Sequence, residues 1–383
     1  MNSIRENTMK KPQKKLKILF IIDNYHPFIG GAEILAQKVA EGLIKKNHDV
    51  TVITSNVKNA DKFETLNGVK IYRITSNRYT LPLKAFFKSF KESKDCHIIH
   101  TSTYSMLPLA WFFSKFRRKN SSIVVHELLG KIWYMNMTKL SAFIHFNAER
   151  FMIRFFKFNR YIAVSAFTLN QLKDKNIPEN KCSLIYNGID ALPVKPKSEF
   201  ENLELFLNSS HKLIFAGRPG PSKGVMTLLE SIKGLKETNP DVHLLMLLGE
   251  EPRDGYQKVL TFIKKYNLEK MITIQKQVPY QDLKAYLQLA DAFVLPSFQE
   301  GFGILGGQLS TLDKPIIAAK NGALPEVLSG KVIWIPSIEP EHITKGIIDS
   351  IEGNFTTIPP KNFDWNSTID KYEQIFMEMC NES

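Results

Sequence analysis

Cysteine is scarce in this chain: Cys96, Cys182 and Cys380 are the only three among 383 residues, and they form no CxxC pair. That excludes a disulfide framework and a thiolate zinc site, and it favours a reducing compartment. No Asp-x-Asp occurs, nor any His/Cys cluster at ligand spacing, so no metal is expected. No Ser-His-Asp arrangement can be singled out. Long apolar runs are lacking too, and the longest fall well short of the ~20 residues of a membrane-spanning helix. The N-terminus is basic without an apolar core, which does not read as a signal peptide. Residues 1–15 are expected to be a disordered basic lead-in. Acidic residues are sparse in one half only. Residues 1–190 carry 31 Lys/Arg against 14 Asp/Glu, net +17, and residues 191–383 carry 20 against 24, net −4. The basic half is expected to meet something anionic: a membrane surface, a nucleic acid or a phosphorylated acceptor.

What is present is a strand–helix rhythm. Apolar residues make up 43% of the chain, enough for two domains with cores of their own. Lys17–Asp23, Asp49–Ser55, Val69–Thr75, His97–Thr103, Ser121–His126 and Arg160–Ser165 read as short buried strands, and Ala32–Lys46 has helical spacing. The pattern restarts with Lys212–Gly217, Val242–Leu248, Met271–Gln275, Ala292–Leu295, Pro315–Ala318 and Lys331–Ile335. Between them Asp190–Glu204, rich in Pro and Lys, suits a linker. The rhythm predicts an α/β protein of two Rossmann-like, doubly wound domains facing a central cleft, with ligands beyond the carboxyl ends of the strands.

The most informative stretch runs from Phe293 to Glu326. An apolar strand ends in Pro296-Ser297, Glu300 sits in a glycine-rich bend, and a helical segment from Ile304 to Thr311 follows. A strand, a glycine turn and a helix start present backbone N–H groups to a phosphate. A carboxylate in the same bend can accept hydrogen bonds from sugar hydroxyls. Upstream, Phe215-Ala216-Gly217-Arg218 ends a strand and Ser222-Lys223-Gly224 opens the next helix, which puts two cations near a helix N-terminus.

That stretch resembles the donor-binding signature of family 4 glycosyltransferases, which have the GT-B fold. The resemblance runs from about Lys15 to the C-terminal helix. It implies an N-terminal acceptor domain (16–194), a C-terminal nucleotide-sugar donor domain (195–362) and a terminal helix (363–383) that crosses back to the first domain. It implies transfer of a hexose from a UDP- or GDP-sugar, with retention and without a metal, to a glycan or lipid-linked acceptor. No cofactor is expected beyond the nucleotide sugar itself. The resemblance casts Arg218 and Lys223 as the diphosphate clamp, and Glu300 as a contact to the donor sugar. Gly303, Ile304 and Leu305 would offer backbone N–H groups. His126, closing the strand Ile123–Val125, would stand near the transferred sugar. Gly30 and Gly31, in a Pro-x-x-Gly-Gly-x-Glu loop that lacks GxGxxG spacing, would lie near the donor phosphate. Ser165 and Asn187 match further family marks and read as structural.

One position departs from the pattern. Eight residues after Glu300 the family has a second Glu that binds the ribose, and this chain has Gln308. An amide can donate and accept, but it forgoes a charge-assisted bond. The alternative is therefore a non-catalytic GT-B scaffold with a weakened donor site.

Three segments mix cations with aromatics: Leu83–Lys91, Trp111–Arg118 and Arg150–Lys157. Either the rings pack on the sheet and the cations face water, or the faces suit an anionic membrane interface. The expected partners are a sugar nucleotide, an acceptor and the inner membrane face of a cytoplasmic protein. Nucleic acid is not expected, because no helix-turn-helix, zinc or RNP pattern occurs.

Overall fold

The structure, a computed structural model, describes residues 14–382 apart from Ile29, residues 58–59, Arg78, residues 194–199 and Gln277. Most of the lead-in expected at residues 1–15, and the middle of the expected linker, lie outside the described residues.

Two open sheets are formed. The first has the order β3-β4-β2-β1-β5-β6-β7-β8. Its strands are β1 Lys17–Ile21, β2 Asp49–Ser55, β3 Phe63–Leu66, β4 Val69–Ile74, β5 Ile98–Ser102, β6 Asn120–Val125, β7 Arg160–Ala163 and β8 Cys182–Leu184. The second has the order β11-β10-β9-β12-β13-β14-β15. It comprises β9 His211–Gly217, β10 Val242–Leu248, β11 Ile272–Lys276, β12 Ala292–Leu295, β13 Ile316–Ala319, β14 Gly330–Ile335 and β15 Thr356–Ile358. Both sheets are mainly parallel, and each matches the Rossmann order at its centre.

Strand β10 shows why the sequence folds this way. All seven residues of VHLLMLL are buried, as a strand covered on both faces requires. Its side chains alternate between two cores. Leu244, Met246 and Leu248 join Leu228, Ile232, Val259 and Ile343 on one face. Leu245 and Leu247 join Phe206, Leu287 and Leu309 on the other. Strand β12 divides likewise, with Val294 in the first core and Phe293 in the second.

Three short strands were not foreseen: β3, β8 and β15. Strands β3 and β4 form an antiparallel hairpin around Asn67 (φ 50°) and Gly68 (φ 84°). Asn-Gly at positive φ is the favoured two-residue hairpin turn, so the signal was in the sequence. Strands β8 and β15 span three residues each, too few for periodicity to register. The helix expected at Ile304–Thr311 covers Ile304–Leu309 and then tightens into a 3₁₀ turn over Ser310–Leu312.

The chain divides into two compact units. One comprises residues up to Val124, Phe156–Tyr161 and residues from Thr368 onward; the other comprises Val125–Phe155 and Ile162–Ser367. In the first unit the C-terminal helix (Trp365–Asn381) is bound by Glu373. It accepts from Lys46 Nζ at 2.8 Å, and its other oxygen lies 2.9 Å from His48 Nε2. Three helices matter below: α1 (Gly31–Lys45), α2 (Leu81–Glu92) and α3 (Leu107–Phe116), all in the first unit.

Candidate active site

Within the second unit, β9 pairs in parallel with β10 on one side and β12 on the other. Chain order runs outward in opposite directions from that pair, so β9 and β12 flank the switch point of the sheet. Open α/β sheets bind ligands in the crevice beyond such strand ends. The two loops leaving it are Arg218–Gly224 after β9 and Pro296–Gly303 after β12.

The loops are tied to each other. Phe298 N–H donates to the Ser222 carbonyl at 2.7 Å. Lys223 Nζ lies 2.6 Å from Glu300 Oε1, which also accepts from Ser297 Oγ at 2.8 Å. The pair is sheltered: the Glu300 side chain is 14% exposed and that of Lys223 32%. Close approach sets the geometry. Gly224 has φ +61°, and a Cβ there would stand 1.8 Å from the Pro296 carbonyl oxygen, so only glycine lets the two loops meet. Arg218 follows β9 with its stem along Gly249.

The Glu300 loop also rests on the segment leaving β6. A Cβ on Gly301 would lie 1.9 Å from the His126 carbonyl oxygen. Ser165, the N-cap of the helix Ala166–Asp174, donates to the Gly301 carbonyl at 2.6 Å, and Thr168 Oγ1 donates to the His126 carbonyl at 3.2 Å. Gln299 Nε2 and Gln171 Nε2 both donate to the Leu128 carbonyl, at 3.0 and 2.8 Å. Glu149 accepts from the N–H groups of Leu129 and Gly130 and from Trp133 Nε1. A recess of about 290 Å³ opens beside this loop, lined by Leu128–Ile132, Glu149, Gln171, Asp174, Lys175 and Gln299.

The expected residues Arg218, Lys223, Glu300, Gly303, Ile304, Leu305, Gln308 and His126 thus fall in one unit, on loops and helix starts at strand ends. Gly30 and Gly31 lie in the other unit, at the start of α1. Burial lowers the His126 imidazole to about 4, so the ring is neutral near pH 7. Gln308 is buried, and its amide donates to Tyr280 Oη at 2.6 Å and to the Asp190 carbonyl at 3.2 Å. Glu326 is structural here: it accepts from the N–H groups of Ala166 and Phe167 and from Tyr186 Oη. Among the described residues no group of three or more His, Cys, Asp and Glu is placed to hold a metal ion.

Glu127 was not among the expected site residues. Burial pushes its carboxyl up to about 7; the charges of Glu300 and Glu149 add to this, and Lys223 and a hydrogen bond from Gln299 oppose it. Its sequence signal was only its place after His126. A stability test follows. The folded carboxyl keeps its proton up to about pH 7, and the unfolded one loses it near 4.5. Between these values the folded state binds more protons, so the contribution of Glu127 falls as pH rises, by at most ~1.4 kcal/mol per pH unit. Glu127→Gln stays neutral throughout. Urea unfolding should show the variant gaining about 2 kcal/mol relative to the parent between pH 5 and 7.5, allowing for residual solvent contact. An unchanged difference at both pH values would refute the raised pKa.

Residues 29–191 match Glycosyltransferase Family 4 and residues 198–367 match Glycosyl transferases group 1. An uncharacterized glycosyltransferase of Methanocaldococcus jannaschii is 23% identical over 350 residues, 87% of this chain and 88% of that protein. Sucrose-phosphate synthase from Thermosynechococcus elongatus aligns with a TM-score of 0.76 at 17% identity, covering 97% of this chain and 100% of that one. Anabaena HepE, solved in complex with UDP and glucose, aligns with a TM-score of 0.72 at 18% identity, covering 95% and 100%. With both halves matched by family models, the chain is a family 4-like glycosyltransferase of GT-B fold.

Proposed function

We propose that this glycosyltransferase moves a hexose from a UDP- or GDP-sugar to a glycan or lipid-linked acceptor, with retention of configuration and without a metal. The observation that carries the reading is the Lys223–Glu300 pair at the switch point, with Arg218 on the same loop as Lys223. Residues 195–362 supply the donor site, and residues 16–194 receive the acceptor. The bond between the anomeric carbon and the diphosphate oxygen breaks, and its electron pair leaves with the nucleotide. Lys223 and Arg218 stabilise that charge, the work otherwise given to a metal ion. The acceptor hydroxyl attacks from the face the phosphate has left, and its proton passes to the departing phosphate oxygen. Glu300 accepts hydrogen bonds from donor hydroxyls, and neutral His126 holds the sugar without adding positive charge. Gly303, Ile304 and Leu305 offer backbone N–H groups. Gly30 and Gly31 offer a close backbone approach to the donor phosphate.

The UDP and glucose held by HepE favour a uridine donor here. The basic N-terminal half favours an acceptor presented at the inner membrane face of a cytoplasmic protein. A second reading, the scaffold with a weakened donor site, is favoured by one observation: Tyr280 and Asp190 already engage the Gln308 amide. Thermal shift and slow hydrolysis against UDP-, GDP- and ADP-sugars separate the two. One donor should raise Tm and be hydrolysed. Binding of none would hand the assignment to the scaffold.

A further inference from the structure

Helices α2 and α3 turn aromatic side chains outward. On α2, Leu81, Ala85 and Ser89 face the core, and Leu83, Phe87 and Phe90 form the opposite stripe. Leu83 is 77% exposed and Phe87 82%. On α3, Phe113 is fully buried while Phe112 and Phe116 are exposed. Of the two outcomes open for these rings, packing inward or facing out, the first holds for Phe113 and partly for Phe86, and the second for Phe87, Phe90, Phe112 and Phe116.

The exposed rings form one connected patch. Phe86 touches Phe87 (centroids 5.8 Å apart) and Phe112 (5.8 Å) and reaches inward to Phe113 (5.1 Å). Phe112 stacks on Phe116 at 5.7 Å and 8°, and Phe116 lies 6.2 Å from Phe90. The Arg117 guanidinium lies 4.4 Å over the Phe90 ring. Water-soluble chains seldom leave so contiguous an apolar patch uncovered. Its rim is cationic: residues 81–119 carry eight Lys/Arg against two Asp/Glu, with Lys84, Lys91, Lys115 and Arg118 exposed.

We infer that the α2–α3 face is a membrane-docking surface that seats Leu83, Phe87 and Phe116 in the headgroup region of an anionic lipid bilayer. Charge complementarity selects this occupant. An apolar face on basic helices lies in the interfacial plane, and the cations meet anionic headgroups while the rings enter below them. Stable attachment takes two signals, and this face carries both. A nucleic acid would use the same cations and stack on the rings, but Leu83, at the start of the stripe, has no stacking role. The inference deepens the proposed function and rests on it only in taking the acceptor to the lipid surface.

The test is sedimentation of the full chain with phosphatidylcholine vesicles, with and without phosphatidylglycerol, alongside the double variant Leu83→Ser/Phe87→Ser. Both positions are exposed, so thermal melting should be unchanged and confirm folding. Binding should require the anionic lipid, and the double variant should lose at least about tenfold in partition coefficient. Binding that survives the double substitution, no binding at low salt, or capture of RNA in place of vesicles would each overturn the inference. Nucleotide-sugar binding on the same preparations keeps the two readings apart. Intact donor binding without vesicle binding sinks the docking surface alone, and the reverse sinks the transferase proposal.

Discussion

Lys223→Ala should lower kcat/KM for sugar transfer by a factor on the order of 10²–10³, and Glu300→Gln by a similar factor. The expectation follows from the sheltered ion pair at the switch point, where Lys223 Nζ and Ser297 Oγ converge on one oxygen of Glu300. On the proposed mechanism, a cation held there would meet the diphosphate as its charge grows and would lose little to solvent. Removing one such donor typically costs about 3–4 kcal/mol in the transition state. Because the two side chains touch, the double variant should lose less than the product of the single effects. Steady-state kinetics on the four proteins would decide it. Single variants within threefold of the parent, or strictly multiplicative losses, would remove the pair from the mechanism.

Gly301→Ala should destabilise the second unit by about 3 kcal/mol or more and lower activity with it. The new methyl would meet backbone: 1.9 Å to the His126 carbonyl oxygen, 2.8 Å to its carbon and 3.1 Å to Glu127 Cβ. Neither side can yield cheaply. Thr168 holds the His126 carbonyl, and Ser165 holds the Gly301 carbonyl. Overpacking of this kind costs ~1–3 kcal/mol, and a broken buried hydrogen bond adds about 1. Gly353→Ala is the control, since its φ of +76° is strained for alanine but nothing lies within 4 Å of the new methyl. It should cost only ~1–2 kcal/mol. Equal urea midpoints for the two variants would mean that the loops part without penalty.

The parallel sheets were legible because buried strands write themselves as unbroken apolar runs. Val242–Leu248 has the bounds read from its residues alone. The Glu300 segment was legible because proline, glycine and one acid punctuate it. Other features have no local signature. The stripe Leu83–Phe87–Phe90 has the same helical period whichever way it faces, and only the burial of Leu81, Ala85 and Ser89 on the opposite side decides that it faces out. The raised pKa of Glu127 comes from burial and from the charges of Glu300 and Glu149, against the opposing charge of Lys223, and no window of sequence brings these positions together. Gln171 and Gln299 became readable only as the two donors on one carbonyl of Leu128.

The C-terminal helix has a consequence for how the chain is made. Its Tyr372 and Phe376 pack against His100, which in turn packs on Phe20 of β1. The first unit therefore waits, nearly finished, while residues 162–367 are translated. At ~5–20 residues per second that is roughly ten seconds to a minute. The second unit is complete before its elder neighbour is sealed, and a nascent chain on the ribosome carries an open apolar seat through that interval, a natural hold for a chaperone.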